Sequence, residues 1–154
     1  MTGERLAAEP RSSDEHASVV IFFVDVSLGQ HQVPEMLRAE GRQVRTIVDL
    51  GLQSDTPDTE WIRLVAERGW VALLKDTKIR RKPDEQAAYR ATSSALFFFT
   101  SGNATGPQQA DAYRVALPAI ERRVAKFARP MLFTVDRSGK LELLEGEKRA
   151  AKKR

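Results

Sequence analysis

The sequence contains no cysteine, which excludes disulfides, zinc–thiolate sites and cysteine nucleophiles. It has only two histidines, His16 and His31. His31 could approach a site behind the first predicted strand, but one histidine does not support a histidine-based metal centre or a catalytic triad. A phosphate-binding glycine loop is also missing, because the segment "DVSLGQH" that follows this strand fits neither a P-loop nor a dinucleotide fingerprint.

Long apolar runs are absent as well. The N-terminal stretch "MTGERLAAEPRSSDEH" has no apolar signal core, and no segment approaches the roughly 20 apolar residues of a membrane span. We therefore expect a cytoplasmic protein with no membrane association. Residues 1–17 are polar and aperiodic, which predicts a flexible leader.

The overall composition is typical of a soluble globular protein, with 42% hydrophobic and 30% charged residues. The 154 residues are enough for one domain with a buried core, which we place at residues 18–145. The net charge of +4 and the pI of about 9.6 make an anionic partner plausible. Residues 146–154 form a basic tail, for which we predict disorder or weak helicity and a role in solubility or, alternatively, in contacts with nucleic acid or a partner.

Short apolar runs alternate with helix signals along the chain. The predicted strands are "VVIFFV" (19–24), "VRTIV" (44–48), "VALL" (71–74), "ALFFF" (95–99) and "PMLFTV" (130–135), with a final strand after a turn at Arg137–Lys140. This alternation predicts an α/β fold with a mainly parallel central sheet and a C-terminal hairpin.

Helices are predicted between these strands. The first ends at Gly41, and the second begins with Thr56 as N-cap and Pro57 in its first turn. A third candidate starts at Pro83 in "KPDEQAAYRATS". The longest runs from residue 107 to about 128, and Pro118 should bend or split it.

Carboxylates follow three successive predicted strands. Asp25, Asp49 and Asp76 come after the first, second and third strand, and Asp58 and Glu60 lie in the first turn of the helix between the last two. Ligands of open parallel sheets bind at the carboxyl ends of the strands. Oxygen ligands without sulfur or imidazole favour Mg²⁺ or Mn²⁺, which can lower the pKa of a water and stabilise a phosphoryl displacement.

Basic residues crowd around Asp76 in "WVALLKDTKIRRKP". Next to a metal they would hold the phosphates of a polymeric substrate. They are Lys75, Lys78, Arg80, Arg81 and Lys82.

Each of these residues also has a purely structural interpretation. Asp25 and Asp76 could simply turn the chain at a strand end. Asp58 and Glu60 could stabilise the helix dipole. The basic residues could form a solvated face, and Asp49 could be a loop residue that supports the site. The functional interpretation depends on the convergence of the acids at one sheet edge.

Four blocks of the sequence resemble a known family. They are "FFVDVSLG", "LRAEGRQVRTIVDLG", "TPDTEWIRLVAERGWVALLKDTKIRRKP" and "SGNATGPQQA". They resemble the PIN-like domain branch that includes ribonuclease toxins of VapC type, and the likeness covers roughly residues 19–145. Its most specific parts are the strand-end aspartate before a Ser–Leu pair, the "PDxEW" helix start and the "LxKDxxIRR" strand end.

The resemblance implies a three-layer α/β/α nuclease domain that cuts RNA with metal-activated water and is silenced by a cognate antitoxin. It implies Asp25, Asp58 and Asp76 as the catalytic, metal-binding acids and Glu60 as a candidate fourth. Relatives often carry a polar residue where this chain has Val26, which puts any supporting role of that position in doubt. Homodimers are common in the family, so a homodimer is a further expectation.

Two alternatives stay open at this point. The chain could be a PIN-like fold that only binds RNA or a protein, with its acids in structural roles. It could also cleave DNA by the same chemistry. In the "SGNATG" block, Asn103 or Thr105 could contact metal-bound water or substrate, although a loop cap is the simpler interpretation.

Overall fold

The computed structural model describes residues 20–75, 87 and 89–149. Six strands and three helices are defined within this part of the chain. In order they are β1 (Ile21–Val24), α1 (Gln32–Ala39), β2 (Gln43–Arg45), α2 (Asp58–Glu67), β3 (Val71–Lys75), β4 (Ala95–Phe99), α3 (Gly106–Lys126), β5 (Phe127–Val135) and β6 (Leu141–Lys148). Two short 3-10 helices cover Val26–Leu28 and Ile47–Leu50. Residues 87 and 89–91 are also helical, whereas the predicted start of that helix at Pro83 lies outside the described residues.

All six strands form one sheet in the order β2-β1-β3-β4-β5-β6. The first five strands are parallel to one another, and β6 pairs antiparallel with β5. The predicted α/β class, mainly parallel sheet and C-terminal hairpin are therefore confirmed. Because the parallel strands point the same way, their carboxyl ends share one edge of the sheet and their amino ends share the opposite edge.

Helices cover both faces of the sheet, which gives the three layers. Side chains alternate across a strand, so Phe22 and Val24 of β1 join a core with residues of α1 and α3. Phe23, between them, joins the opposite core with residues of α2. Every residue of β4 is buried, as expected for a strand between two helical layers.

The long helix α3 continues through Pro118 as a single element. The prediction that this proline could split the helix is therefore wrong. Leu117 and Ile120 on either side of it are buried against the sheet, and this packing offsets the hydrogen bond that proline cannot donate. The helix ends at Lys126, because Phe127 already belongs to β5.

Other boundaries differ more modestly. The second helix begins at Asp58 with Pro57 in the N-cap position, so Thr56 does not cap it. The last strand continues to Lys148, past the predicted domain boundary at residue 145, because it pairs with the long strand β5. In the described ranges, none of the helices has the length and apolar character needed to cross a membrane.

Candidate active site

Asp25 directly follows β1 in the sequence and lies at the carboxyl edge of the sheet. Its side chain is 7% exposed, and its backbone N–H donates to the carbonyl of Leu73 in β3 at 3.0 Å. The carboxylate caps the first 3-10 helix: Oδ2 accepts from the backbone N–H of Ser27 at 3.2 Å and from its hydroxyl at 2.6 Å. The aspartate therefore has a fixed orientation in a nearly dry site.

Ser27 links this loop to the neighbouring strand. While its hydroxyl donates to Asp25, its oxygen accepts from the backbone N–H of Lys75, the last residue of β3, at 3.0 Å. One small side chain thus ties the ends of β1 and β3 together. The sequence showed the Ser–Leu pair only as a motif, and this role of Ser27 was missed because its partner lies 48 residues away.

Asp58 comes from the first turn of α2. Its Oδ1 accepts from the indole N–H of Trp61 at 2.7 Å. Trp61 is 1% exposed and stacks on Phe23 of β1, with ring centroids 5.0 Å apart. The tryptophan therefore connects Asp58 to β1, which gives the Trp of the "PDxEW" helix start a structural role in this chain.

The electrostatics connect the two aspartates. Burial raises the pKa of Asp25, and the charge of Asp58 raises that pKa further, while the hydrogen bonds from Ser27 lower it. Burial also raises the pKa of Tyr113 well above its ordinary value, with a smaller contribution from the charge of Asp25. The phenol of Tyr113 lies against the carbonyls of Leu74 and Phe97, at 3.1 and 2.9 Å. Asp25 thus sits in an environment that disfavours its charge unless a cation is nearby.

Comparison with known proteins identifies the family of this chain. The PIN-like domain profile matches residues 20–101. This chain belongs to the PIN-like domain family. A Mycobacterium tuberculosis protein named "Putative ribonuclease VapC45" is 35% identical over 116 residues, which cover 73% of this chain and 83% of that protein. No solved structure matches the chain.

The PIN-like fold brings together only part of the predicted site within the described residues. Asp25 and Asp58 interact through their charges, and Glu60, two residues after Asp58, is half-buried with no described hydrogen bond to its side chain. Among residues 20–75, 87 and 89–149, no three His, Asp or Glu side chains are grouped closely enough to hold a metal ion. The third predicted ligand, Asp76, lies outside these residues.

Most of the predicted basic strip is also outside the described part of the chain. This applies to Lys78, Arg80, Arg81 and Lys82. Lys75 is described: it is the half-buried last residue of β3, at the same edge as Asp25. The roles assigned to these residues remain predictions.

Asp49 does not follow a strand directly, so the prediction that it ends the second strand was wrong. Strand β2 ends at Arg45, and the chain turns into the second 3-10 helix. Asp49 closes a capping box there, because its carboxylate accepts from the backbone N–H of Thr46 at 2.7 Å. A local hydrogen bond thus competes with extension of the strand, as is common for aspartate.

Two further candidates, Thr105 and His31, lie in helix-start regions. Thr105 is the N-cap of α3 and accepts from the backbone N–H of Gln108 at 3.2 Å, which confirms the loop-cap interpretation. His31 precedes α1, and its side chain is 77% exposed and 3.9 Å from Glu35. It therefore adds no ligand to Asp25 and Asp58.

Proposed function

We propose that this protein is an endoribonuclease that hydrolyses phosphodiesters with the help of Mg²⁺ or Mn²⁺. The observation that carries the proposal is the pair Asp25 and Asp58 at the carboxyl edge of the sheet. Each carboxylate is oriented by a neutral donor, Ser27 or Trp61, and neither has an ion pair with a cationic side chain among the described residues. The negative charge is thus fixed in place but not neutralised.

The donor set fits a hard divalent cation. Oδ2 of Asp25 and Oδ1 of Asp58 are engaged by hydrogen bonds, which leaves one oxygen of each carboxylate for a metal. Carboxylate oxygens are the ligands that Mg²⁺ and Mn²⁺ prefer. We propose Asp76 as the third ligand, since it follows β3 directly, and Glu60 as a candidate fourth. Such an ion would lower the pKa of a bound water and stabilise negative charge on a phosphodiester.

The residues of the chain then have separate tasks. Ser27 and Trp61 hold the acids in place, and burial excludes bulk water from Asp25. Lys75, Lys78, Arg80, Arg81 and Lys82 would bind the phosphates on either side of the bond that is cut. RNA as the substrate is suggested by the name of the relative and by the resemblance to VapC-type ribonucleases. On the same basis we propose a toxin role with a cognate antitoxin in the cytoplasm, and a homodimer.

The test compares cleavage of a labelled mixed RNA pool by the native protein, by Asp25→Asn and by Asp76→Asn, with Mn²⁺ and with EDTA. Asp136→Asn is the matched control, because Asp136 follows β5 at the same edge but is held in a turn. We expect both site variants and EDTA to abolish cleavage and the control to retain it. Equal cleavage by the native protein and Asp25→Asn would contradict the proposal.

A non-catalytic binding module is the second candidate, and one observation favours it. Both acids also have structural tasks, since Asp25 caps a 3-10 helix and Asp58 satisfies the buried indole N–H of Trp61. This candidate predicts RNA retention that weakens with salt and is insensitive to EDTA. Metal-dependent turnover would exclude it.

A further inference from the structure

A cleft of about 940 Å³ lies at the amino edge of the sheet, opposite the candidate active site. Its walls come from the starts of β1, β2 and β3 and from the second half of α3. Its volume is at the upper end of the range for ligand sites. A strand of five residues spans about 17 Å, so the cleft and Asp25 cannot contact the same phosphate.

The cleft is lined by four arginines and a single glutamate: Arg42, Arg122, Arg129, Arg149 and Glu121. Arg42 already pairs with the glutamate through two hydrogen bonds of 2.7 and 3.0 Å. The charges of Arg42 and Glu121 therefore neutralise each other. The positive charge of the other three arginines is left without a described counter-ion.

Arg129 is the central residue of this group. It is half-buried in the part of β5 that extends beyond β4. Its described hydrogen bond runs from Nη1 to the carbonyl of Trp70, at 3.4 Å. Burial lowers its pKa, and the charge of Arg149 lowers it further. A partly buried guanidinium beside another guanidinium is unfavourable unless an anion lies between them.

Arg149 reaches the cleft because β6 runs antiparallel and returns the chain to the amino edge. Its Nε donates to the carbonyl of Phe127 at 3.2 Å, which fixes the guanidinium and leaves its terminal nitrogens free of any described partner. Arg122 is exposed on α3, directly after Glu121. Fixed guanidinium groups bind phosphate through two parallel hydrogen bonds better than a flexible ammonium does.

The charge of the cleft indicates its ligand. The guanidinium groups of Arg122, Arg129 and Arg149 line one cleft and have no described counter-ion. A single-stranded RNA carries a phosphate at every nucleotide, so its backbone can contact several guanidinium groups at once, whereas a single free anion contacts only one or two of them.

We infer that this cleft binds the phosphodiester backbone of an RNA strand, with Arg129 and Arg149 as the phosphate ligands. It would be a second contact with RNA, at the edge of the sheet opposite Asp25. The existence of an anion site rests on the cleft itself, and the choice of RNA as its ligand rests on the proposed function.

The experiment measures binding of a short fluorescein-labelled single-stranded RNA by anisotropy in EDTA, over a range of salt concentrations. Arg149→Gln is the principal variant because Arg149 is exposed, and Arg129→Gln is the second. Arg63→Gln is the matched control, since Arg63 is exposed on α2 and 4.0 Å from Glu67. We expect each cleft variant to weaken binding roughly tenfold and to reduce the salt slope by about 0.7. The control should bind as the native protein does.

Unchanged RNA affinity in both cleft variants would overturn the inference. So would polyglutamate that binds as tightly as RNA and loses affinity equally in Arg149→Gln, because the ligand would then be an acidic protein. Asp25→Asn separates this inference from the proposed function. Loss of binding in Arg149→Gln but not in Asp25→Asn supports the cleft even if the native protein cuts no RNA, whereas cleavage with unaltered binding in both cleft variants overturns the cleft alone.

Discussion

The two edges of the sheet carry opposite charges and hold them in different ways. At the carboxyl edge, Asp25 and Asp58 are fixed by the neutral donors of Ser27 and Trp61. At the amino edge, Arg129 and Arg149 are fixed by backbone carbonyls. In both places a neutral partner orients the charged group without cancelling its charge.

The direction of the helices supports this separation. In a parallel α/β sheet the helices run against the strands, so their N-termini lie at the carboxyl edge and their C-termini at the amino edge. Helix N-termini favour negative charge and C-termini positive charge. Asp58 and Glu60 stand in the first turn of α2, and Arg123 and Lys126 in the last turn of α3. The helix dipoles therefore favour acidic residues at the carboxyl edge and basic residues at the amino edge.

The largest expected difference between the edges is in metal binding. Mn²⁺ should stabilise the native protein by roughly 2.7 kcal/mol at a free concentration of 100 times Kd, because it binds only the folded state. The shift in melting temperature should disappear in Asp25→Asn and persist in Arg149→Gln. A shift that survives in Asp25→Asn would place the metal elsewhere.

Replacement of Trp61 tests whether its indole hydrogen bond holds Asp58 in position. Trp61→Phe removes the indole hydrogen bond and part of a buried ring, so we expect a loss of about 2 kcal/mol in the free energy of unfolding by urea. It should also weaken the stabilisation by Mn²⁺. Trp70→Phe, at the other edge, is the control and should leave the response to Mn²⁺ unchanged. An unaltered response in Trp61→Phe would show that Asp58 needs no such positioning.

Two serines allow a matched comparison within the carboxyl edge. Ser27 and Ser138 each donate a hydroxyl at 2.6 Å to an aspartate two residues earlier, but only the first pair is largely buried. Ser27→Ala should lower the free energy of unfolding by about 1 kcal/mol, because it also leaves the N–H of Lys75 unpaired. Ser138→Ala should lower the same free energy by only a few tenths of a kcal/mol. Equal losses in chemical denaturation would contradict a special role for the buried pair.

The smallest effect concerns Asp136, whose carboxylate already accepts hydrogen bonds within its own turn. Hydrogen bonds from Ser138 and Lys140 lower its pKa below the ordinary 3.8. A lowered pKa means that its contribution to stability is present above pH 3.8 and is lost as the pH falls through the folded pKa. The melting temperature of Asp136→Asn should therefore lie slightly below that of the native protein at neutral pH and meet it in acid. A constant difference across this range would contradict the assignment.

Much of this architecture can be predicted from the sequence. The apolar runs around Phe23 and Phe97 identify strands because a run buried on both faces has a distinct composition, and Gly41 marks a helix end because it adopts a positive φ of 81°. Asp25 is found in the same way, as the first polar residue after a buried strand. Asp49 was misplaced because a local capping box ended β2 early. The prediction that Pro118 could split its helix was wrong because helix packing outweighs the local preference of proline.

The sequence alone determined the order of strands and helices, the parallel sheet and the position of Asp25 at its carboxyl edge, since these follow from local periodicity and from the rules of strand connection. Tertiary structure decided which neighbours hold the charged groups. Ser27 meets Lys75 across 48 positions, and Arg149 reaches Arg129 because β6 reverses direction. Such contacts depend on strand register and packing over long separations, which local patterns in the sequence do not encode.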